Sequence, residues 1–323
     1  MKAIIATGYG GPEVLQLREV EKPSPKENEV LIQIKAASIS RADCMMRTGK
    51  PYIGRLFLGI SKPKHPIPGT GFAGIIEAVG ASVQNFKKGD SVFGESIHSF
   101  GTNAEYVCLD ESGLIYTLPE NVSFEEAASL CDGALTSMNF LKNVGEISPG
   151  QKILINGAAG GLGSAAVQLA KHFGAEVTAV CGPNNLQLAK DLGADKVIDY
   201  TKNNFTTNYQ NYDVIYDTVG KSSFSKGKKA LKEKGKFISP VLHFPFLGAV
   251  LWSSLFGKKK AKFSATGALP IKELKPLLEE LITIIKEGKI KTVLDRTYTL
   301  AEIKEAHIYV DKGHKKGNIV LVN

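Results

Sequence analysis

The segment ILINGAAGGLG, residues 153–163, decides the fold of this chain. It joins a short apolar run to a helix-forming segment through a glycine-rich turn, and a second apolar run follows at residues 176–181. In that order Gly160 lets the backbone approach a pyrophosphate, Gly163 permits close packing of helix on sheet, and the helix N-terminus offers free N–H donors. Ala158 stands where the usual fingerprint has its first glycine. The segment predicts a dinucleotide site, against the alternative of a plain tight turn.

Strand and helix patterns alternate from residue 123 to about residue 240. Strands are predicted at 152–156, 176–181, 196–199, 213–217 and 236–240, with helices at 161–173, 185–192 and 222–231. Such alternation requires parallel strands with right-handed crossovers, so the fold class is α/β with a Rossmann-type doubly wound parallel sheet. Ser123 and Glu126 form a capping-box pattern at the first helix. We expect the dinucleotide-binding domain to span residues 123–267.

The remaining residues, 1–122 and 268–323, are expected to form a second domain. Short β-type runs between glycines and prolines occur at 29–36, 74–79, 91–93, 104–109 and 113–117. This spacing is typical of a small, irregular β-barrel-like domain. After residue 267, apolar residues on one face predict a helix over 271–285, and residues 318–322 predict a final strand.

The end of the second strand selects the cofactor. An acidic residue there would bond the ribose 2′-hydroxyl of NAD and repel the 2′-phosphate of NADP. Residues 180–185 read VCGPNN, without an acid, and Gly182, Asn185 and Tyr200 can surround a phosphate. The alternative is that the two asparagines only cap the next helix. We therefore expect NADPH as cofactor, with weaker binding of NADH.

Several blocks resemble one family along nearly the whole chain. They are residues 67–74, 86–92, 101–106, 135–137, 157–163, 192–195 and 313–318. With these blocks in order, the chain resembles the quinone oxidoreductase branch of the medium-chain dehydrogenase/reductase superfamily. The resemblance implies a GroES-like β-barrel catalytic domain beside the Rossmann domain. It also implies hydride transfer to a quinone or an α,β-unsaturated carbonyl, and a homodimer paired through the cofactor domains.

The zinc-dependent alcohol dehydrogenases of the same superfamily bind their metal with a cysteine, a His-Glu pair and a second cysteine. The corresponding positions here are Ser40, Thr70-Gly71 and Asp132. These groups cannot supply the nitrogen and sulfur ligands that zinc prefers, and no C-x-x-C pair occurs in the chain. We expect no metal. Without a Lewis acid, alcohol oxidation is the weaker hypothesis, because a quinone or enone accepts hydride with less assistance.

Candidate catalytic residues come from the resemblance. The family has the pattern N-x-x-D-x-x-x-R-x-G. It corresponds here to residues 40–49, with Ser40 in place of the asparagine. Asp43 is a catalytic candidate, and a structural ion pair with Arg47 is the alternative. Tyr52 lies where the substrate mouth is expected, and the resemblance places Thr136 beside the nicotinamide.

The predicted cofactor contacts lie on the glycine turn, at strand ends and in the C-terminal loop. They are Thr136, Ala159, Gly160, Gly161, Leu162, Gly163, Cys181, Gly182, Asn185, Tyr200, Val219, Val241 and Asn318. Asn318 replaces the lysine that the family usually has in its closing loop.

Composition and charge exclude other classes. The N-terminal 15 residues lack the unbroken apolar core of a secretory signal, so a cytoplasmic location is expected. The net charge of +8 is spread along the chain and forms no recognisable nucleic-acid module. The apolar residues 241–256 are too few and too interrupted for stable membrane insertion. They could pack in the core, form a flap at the substrate mouth or contact a membrane surface with Lys258–Lys260.

Two rival functions remain open from the sequence. A non-enzymatic NADPH-binding protein is one, because no acid–base residue is unmistakable. A zinc-free alcohol dehydrogenase is the other, and it would reduce NADP in the presence of an alcohol.

Overall fold

The computed structural model describes residues 1–207 and 210–323. By their packing these residues divide into two compact units. Unit 1 comprises Met1–Asp132, Pro270–Leu278 and Thr292–Asn323, and unit 2 comprises Gly133–Leu269 and Glu279–Lys291.

The strands and helices are numbered along the chain. The strands are β1 (Lys2–Ala6), β2 (Leu15–Glu19), β3 (Glu29–Ile39), β4 (Gly71–Val79), β5 (Ser91–Glu95), β6 (Tyr106–Asp110), β7 (Leu114–Thr117), β8 (Lys152–Asn156), β9 (Glu176–Cys181), β10 (Lys196–Asp199), β11 (Tyr212–Asp217), β12 (Leu231–Ser239), β13 (Lys260–Phe263), β14 (Leu294–Thr299) and β15 (Asn318–Val322). The helices are α1 (Arg41–Thr48), α2 (Arg55–Leu58), α3 (Phe124–Ala128), α4 (Thr136–Asn139), α5 (Gly161–His172), α6 (Leu186–Asp191), α7 (Phe224–Ala230), α8 (Phe244–Leu255), α9 (Ile271–Lys286) and α10 (Ile303–Lys312).

The sheet of unit 2 has the strand order β10-β9-β8-β11-β12-β13, and every pairing between its neighbours is parallel. Counted from β8, this is the doubly wound Rossmann order 3-2-1-4-5-6. Ile153, Leu154 and Ile155 of β8 are completely buried, as expected for a central strand covered on both faces. The order reverses between β8 and β11, so the carboxyl ends of these two strands mark where ligands bind in such sheets. The predicted fold class is confirmed here.

The larger sheet of unit 1 runs β14-β15-β3-β4-β5-β7, and β6 also pairs with β3. The long strand β3 is its centre, because it pairs with β4 on one side and with β6 and β15 on the other. A separate antiparallel pair joins β1 to β2. The core between these elements contains Ile4, Ile32, Phe72 and Val92. The segment that follows β3 begins with α1 and carries the candidates Asp43 and Tyr52.

The two units do not divide at the expected domain boundaries, which were residues 122 and 268. Residues 123–132 belong to unit 1 because α3 packs against β3, β4 and β5. The later turns of α9 belong to unit 2, where Glu280 forms an ion pair with Lys142. The capping box of Ser123 and Glu126 is confirmed at the start of α3.

The apolar segment after β12 forms a helix that the sequence analysis did not assign. In α8, Phe246 and Ser253 are buried, whereas Phe244 is 91% exposed and Trp252 is 65% exposed. Packing in the core therefore accounts for only part of the segment. The helix leads into the edge strand β13, which the sequence analysis also missed. In the described part of the chain, no helix combines the length and the apolar character needed to cross a membrane.

Candidate functional site

The glycine turn of unit 2 leads from β8 into α5. Gly157 has a φ of +82°, which favours glycine. At Gly163 an added Cβ would lie 2.1 Å from the carbonyl oxygen of Gly157, so only glycine allows this approach of helix to turn. At Gly160 an added Cβ would meet its nearest atom at 3.5 Å, an ordinary contact. Gly163 is therefore required for the close packing of α5 on the turn, while Gly160 leaves an open surface there.

The N-terminus of α5 fits a pyrophosphate. Gly160 is its N-cap residue, and no described side chain caps this helix end. The first N–H groups of a helix need acceptors, and an anion provides them together with a charge that favours the helix dipole. Ala159 is buried and Leu162 is partly buried beside the turn. The predicted contacts 159–163 thus lie together at the carboxyl end of β8.

A second group of predicted contacts meets at the carboxyl end of β9. The backbone N–H of Tyr200 donates to the Cys181 carbonyl at 3.2 Å, and the N–H of Asn185 donates to the Gly182 carbonyl at 3.0 Å. The Tyr200 ring is 49% exposed and would lie 3.5 Å from a Cβ added at Gly182. The buried Asn185 Oδ1 has no hydrogen-bond partner among the described residues. Gly182 and the exposed Tyr200 ring leave an open surface here, which gives room for a phosphate group at this position.

An acid on the adjacent strand, not predicted from the sequence, lies close to this surface. Asp199 ends β10 and lies opposite Cys181 in the parallel register. Its Oδ1 accepts hydrogen bonds from the Thr201 backbone and hydroxyl, which hold the pKa of Asp199 below its usual value. The expected absence of an acid is correct for the end of β9 but not for the adjacent strand.

The predicted contacts Val219 and Val241 lie on the loops that follow β11 and β12. These loops meet closely, because a Cβ added at Gly220 would lie 2.6 Å from the Val241 Cβ. The loop after β11 is organised by Asp217, whose carboxylate accepts hydrogen bonds from the N–H groups of Val219, Gly220 and Ser222. Sequence reasoning missed Asp217, although an acid at the end of a buried strand was a usable signal.

Thr136 belongs to unit 2 and Asn318 to unit 1. Thr136 begins α4 of unit 2, between two π-helical stretches, and the hydroxyl of its neighbour Ser137 donates to the Leu162 carbonyl at 2.8 Å. Thr136 is therefore tied to the glycine-turn helix. Asn318 belongs to unit 1, where its side chain donates to the Val293 carbonyl. Its role toward a cofactor stays a prediction.

Asp43 lies in unit 1, near the start of α1, with 4% of its surface exposed. It forms a capping box with Ser40, whose backbone N–H and hydroxyl both donate to Asp43 Oδ2 at 2.8 Å. The ion pair with Arg47 considered from the sequence is wrong, because Arg47 Nη2 instead binds Asp311 Oδ2 at 2.5 Å. Asp311 lies on α10, far from Arg47 along the chain, so local spacing could not have revealed this partner.

Two further carboxyl groups surround Ser40 and Asp43. Glu95 ends β5 opposite Gly71, the neighbour of Thr70, and Asp132 lies in the π-helical stretch after α3. Burial and the nearby Asp132 raise the pKa of Asp43 to about 7. Burial and Asp132 likewise raise the pKa of Glu95 to about 8. We call Asp43, Glu95 and Asp132 the acid cluster.

Asp132 also has a raised pKa, caused by burial and opposed by its hydrogen bond with Ser40 and by the charge of Lys315. Burial lowers the pKa of Lys315 itself. The acid cluster therefore holds protons near neutral pH. Sequence reasoning singled out Asp43 and noted Asp132 only as a missing metal ligand, and it did not find Glu95 or Lys315.

Tyr52 is 66% exposed in unit 1. The Arg55 guanidinium carbon lies 4.9 Å from the centre of its ring. The hydroxyl is thus open to solvent, and its catalytic role stays a prediction. Within residues 1–207 and 210–323, no group of three His, Cys, Asp or Glu side chains is arranged to hold a metal ion.

The doubly wound sheet and the glycine turn without a side-chain cap are typical of dinucleotide-dependent dehydrogenases. Comparison with known proteins agrees. Residues 26–120 match the family model described as alcohol dehydrogenase GroES-like domain, and residues 192–321 match the one described as zinc-binding dehydrogenase.

The relatives extend over the whole chain. The 2-methylene-furan-3-one reductase of Solanum lycopersicum is 36% identical over 334 residues, which cover 99% of this chain and 79% of that protein. The chloroplastic NADPH-dependent alkenal/one oxidoreductase of Arabidopsis thaliana is 33% identical, with the same two coverages. The structure of Escherichia coli quinone oxidoreductase complexed with NADPH superposes with a TM-score of 0.86 at 28% identity, covering 100% of both chains. This chain belongs to the quinone oxidoreductase-like branch of the medium-chain dehydrogenase/reductase superfamily.

Proposed function

We propose that this protein is a zinc-independent, NADPH-dependent reductase that delivers hydride to an α,β-unsaturated carbonyl compound or a quinone. The observation that carries the proposal is the glycine turn at the switch point of the sheet, where α5 begins without a side-chain cap. The names of the relatives support the same chemistry, since they include an alkenal/one oxidoreductase and a quinone oxidoreductase bound to NADPH.

NADPH, when bound, supplies the hydride. The N–H groups at the start of α5 bind its pyrophosphate, with Gly160 leaving room for the approach. Gly182, Asn185 and Tyr200 surround the 2′-phosphate, because Gly182 leaves space beside the exposed Tyr200 ring and the Asn185 side-chain amide group can donate to a phosphate oxygen. Thr136 contacts the nicotinamide. The choice of NADPH over NADH follows from the end of β9, which carries no carboxylate.

Reduction of an enone also requires a proton. The acid cluster of unit 1 keeps its protons near neutral pH because burial raises the pKa of Asp43 and of Glu95. The Ser40 hydroxyl donates to Asp43 Oδ2 at 2.8 Å and also acts to lower the pKa of Asp132, so Ser40 is common to both carboxyl groups. We assign to this cluster the supply of the proton that completes the reduction, with Asp43 as its member on α1.

Stopped-flow measurement of NADPH oxidation tests the proposal. The protein is mixed with NADPH and one acceptor from three sets: quinones, short alkenals and long-chain enones. Oxidation of NADPH that depends on an enone or quinone is expected. Tight NADPH binding without oxidation by any acceptor would favour the non-enzymatic alternative, and alcohol-dependent reduction of NADP would favour an alcohol dehydrogenase.

The assembly and location are proposals as well. We propose a homodimer in which two copies pair through β13, the edge strand of the unit 2 sheet. Light scattering after size-exclusion chromatography is expected to give about twice the chain mass of 34.8 kDa, and a monomer mass would contradict it. We propose a cytoplasmic location, although several relatives are named chloroplastic, and imaging of the tagged protein in its own cells would decide between the two.

A further inference from the structure

The helix α8 has an exposed side that is apolar. Phe246 and Ser253 are buried on its other side, where the Phe246 ring centre lies 5.8 Å from that of Phe237 in the core of unit 2. The sequence of α8, FPFLGAVLWSSL, contains no charged side chain. The exposed large apolar residues of α8 and of the position after it are Phe244, Leu247, Leu251, Trp252, Leu255 and Phe256. We call these six residues the α8 apolar surface.

The α8 apolar surface is held in a fixed position. The Lys260 Nζ donates to the Ser253 carbonyl at 2.6 Å, and the Ala261 N–H donates to the Ser253 hydroxyl oxygen at 2.8 Å, so the end of α8 is bound to β13. The ring centres of Trp252 and Phe256 lie 4.7 Å apart. Contiguous apolar groups are unfavourable in water, and a patch of this kind marks a surface that another molecule covers.

Lysines surround the C-terminal end of this surface. Residues 226–236 carry six lysines and residues 258–260 carry three, with Glu233 as the single acid in the two segments. The segments lie together because β12 pairs with β13 and because Lys259 Nζ donates to the Lys228 carbonyl at 2.8 Å. Burial and the nearby charge of Lys228 lower the pKa of Lys259. Positive charge is therefore concentrated beside α8.

Most of these nine lysines have no acidic partner. Lys232, Lys236 and Lys258 form ion pairs, and among the residues that the structure describes the other six form none. Gly257 alone separates Phe256 from Lys258 along the chain, so the basic and apolar surfaces are continuous. We give the name lysine patch to Lys226, Lys228, Lys229, Lys234 and Lys259.

The charge of the lysine patch selects the partner. A basic surface beside an apolar one is complementary to a negative layer above an apolar layer, which is the structure of a bilayer that contains anionic lipids. A second copy of the chain, paired on this surface about a two-fold axis, would instead bring two lysine patches together. The homodimer proposed above uses the backbone edge of β13, which is not part of the α8 apolar surface.

We propose that the α8 apolar surface and the lysine patch dock this protein on a membrane surface that contains anionic lipids. The 12 residues of α8 lie along the bilayer, with Trp252, Leu255 and Phe256 between the headgroups and the acyl chains. The ammonium groups of the lysine patch bind headgroup phosphates. The docking is peripheral, since α8 is shorter than a membrane-spanning helix, and it does not depend on the proposed reductase activity.

The first test uses the fluorescence of Trp252, which is the single tryptophan of the chain. The wild-type protein is mixed with vesicles of phosphatidylcholine, or of phosphatidylcholine with about 30% phosphatidylglycerol. With the anionic vesicles we expect the emission to shift to shorter wavelength and to be quenched by brominated acyl chains, and we expect added salt to reverse both changes. Unchanged emission with anionic vesicles would overturn the proposal, as would an equal, salt-independent shift with phosphatidylcholine alone.

Sedimentation with the anionic vesicles tests the apolar part of the surface. The double variant Trp252→Ser with Leu255→Ser is expected to partition about 10- to 100-fold more weakly, because two apolar side chains no longer enter the bilayer. Phe57→Ser is the matched control, since Phe57 is 83% exposed on α2 of unit 1, and it should partition like the wild type. Circular dichroism checks the fold of each variant. Loss of binding in Phe57→Ser with none in the α8 variant would refute the proposal.

Substitution of lysines tests the basic part. The variant with Lys226→Gln, Lys228→Gln and Lys229→Gln is expected to bind the anionic vesicles about 100-fold more weakly, at about 5-fold for each lysine near the surface. The control variant carries Lys272→Gln, Lys304→Gln and Lys312→Gln, which are exposed lysines of unit 1. It has the same net charge and should lose less than about 5-fold. Equal losses in the two variants would mean that the lysine patch is not the binding surface.

Other occupants of the surface would give different results. A shift of Trp252 emission that grows with protein concentration in the absence of vesicles would show that a second copy covers the α8 apolar surface. A shift with polyglutamate but not with anionic vesicles would show an acidic protein partner. Either result would overturn the membrane proposal, and neither would alter the NADPH oxidation expected for the proposed function.

Discussion

The Asn156 side chain donates a hydrogen bond of 2.9 Å from Nδ2 to Oδ1 of Asp217. This bond joins the carboxyl ends of β8 and β11, the two strands between which the strand order reverses. Asp217 is completely buried, and its two oxygens also accept three backbone N–H groups of the following loop. One carboxylate therefore shapes the loop beside the glycine turn.

Replacing Asp217 by asparagine tests that assignment. The amide has only one acceptor oxygen, so at least one buried N–H group loses its partner. We expect the free energy of unfolding to fall by roughly 1–3 kcal/mol and NADPH affinity to decrease with it. Chemical denaturation and isothermal titration would measure both. Asp213→Asn is the control on the same strand. It loosens a partly exposed ion pair with Lys232, its remaining amide oxygen can still accept the Lys152 N–H, and it should cost under about 1 kcal/mol.

The glycine turn allows fold and cofactor binding to be separated. Gly160→Asp is expected to fold normally, because its Cβ meets only an ordinary contact, and to weaken NADPH binding by about 100-fold or more through charge repulsion with the pyrophosphate. Gly160→Ala is the uncharged control for the fold. Gly163→Ala should instead destabilise the protein, since its Cβ would lie 2.1 Å from a backbone oxygen. Normal NADPH affinity in folded Gly160→Asp would mean that the turn has another role.

Cofactor preference should depend on the end of β9. Gly182→Asp would introduce the acid that favours NADH, and its Cβ has ordinary clearance of 3.5 Å from the Tyr200 ring. We expect NADPH affinity to fall by about 10-fold or more while NADH affinity is maintained or increased. Titration of both cofactors into the wild type and the variant would show the change. A wild-type protein that bound NADH more tightly would contradict the NADPH assignment before any substitution.

Activity should not require a metal. Ser40, Thr70-Gly71 and Asp132 occupy the positions where zinc-dependent relatives place their ligands, and they offer no nitrogen or sulfur donors. After dialysis against a strong chelator, NADPH oxidation is expected to proceed at the original rate, and elemental analysis is expected to find no stoichiometric zinc. Loss of activity on chelation, with recovery on adding zinc, would show that the assigned branch is wrong.

Protonation of Asp43 should affect stability in a defined pH window. Its folded-state pKa of about 7 lies above the ordinary value of 3.8, so the folded protein binds the proton more tightly. The resulting stabilisation is complete below pH 3.8 and is lost as the pH rises toward 7. Asp43→Asn cannot titrate. We therefore expect the free energy of unfolding of the wild type to fall by roughly 2–4 kcal/mol relative to that of Asp43→Asn as the pH rises from about 4 to about 8.

His307 has a pH effect of the opposite direction. Burial lowers its pKa from 6.5 to about 4, so its contribution is present above pH 6.5 and is lost as the pH falls toward 4. Because His307 is present in both proteins, its effect cancels in the comparison. Denaturant unfolding at several pH values is the measurement, and a difference that stayed constant with pH would show that Asp43 is already ionised throughout.

The candidate site was predictable where its residues follow one another along the chain. The contacts at 159–163 lie on one turn, and Gly182 and Asn185 lie just after one strand, so strand–turn–helix order was enough to place them. The partners in unit 1 were not predictable in this way. Arg47 binds Asp311 across 264 residues of sequence, and Glu95 joins Asp43 only because β5 pairs with β4 beside the end of β3.

The sequence by itself determined the doubly wound sheet, its glycine turn and the capping box of Ser123, because apolar runs, turns and caps are set by neighbouring residues. It did not reveal α8, whose exposed apolar residues lack a helical face pattern, or the extension of β12 back to Leu231. Tertiary structure alone decided that Arg47 and His307 line one cavity and that burial raises the pKa of three carboxyl groups. Such effects depend on burial and on contacts between distant segments, and no local pattern in a chain records which distant group will lie beside which.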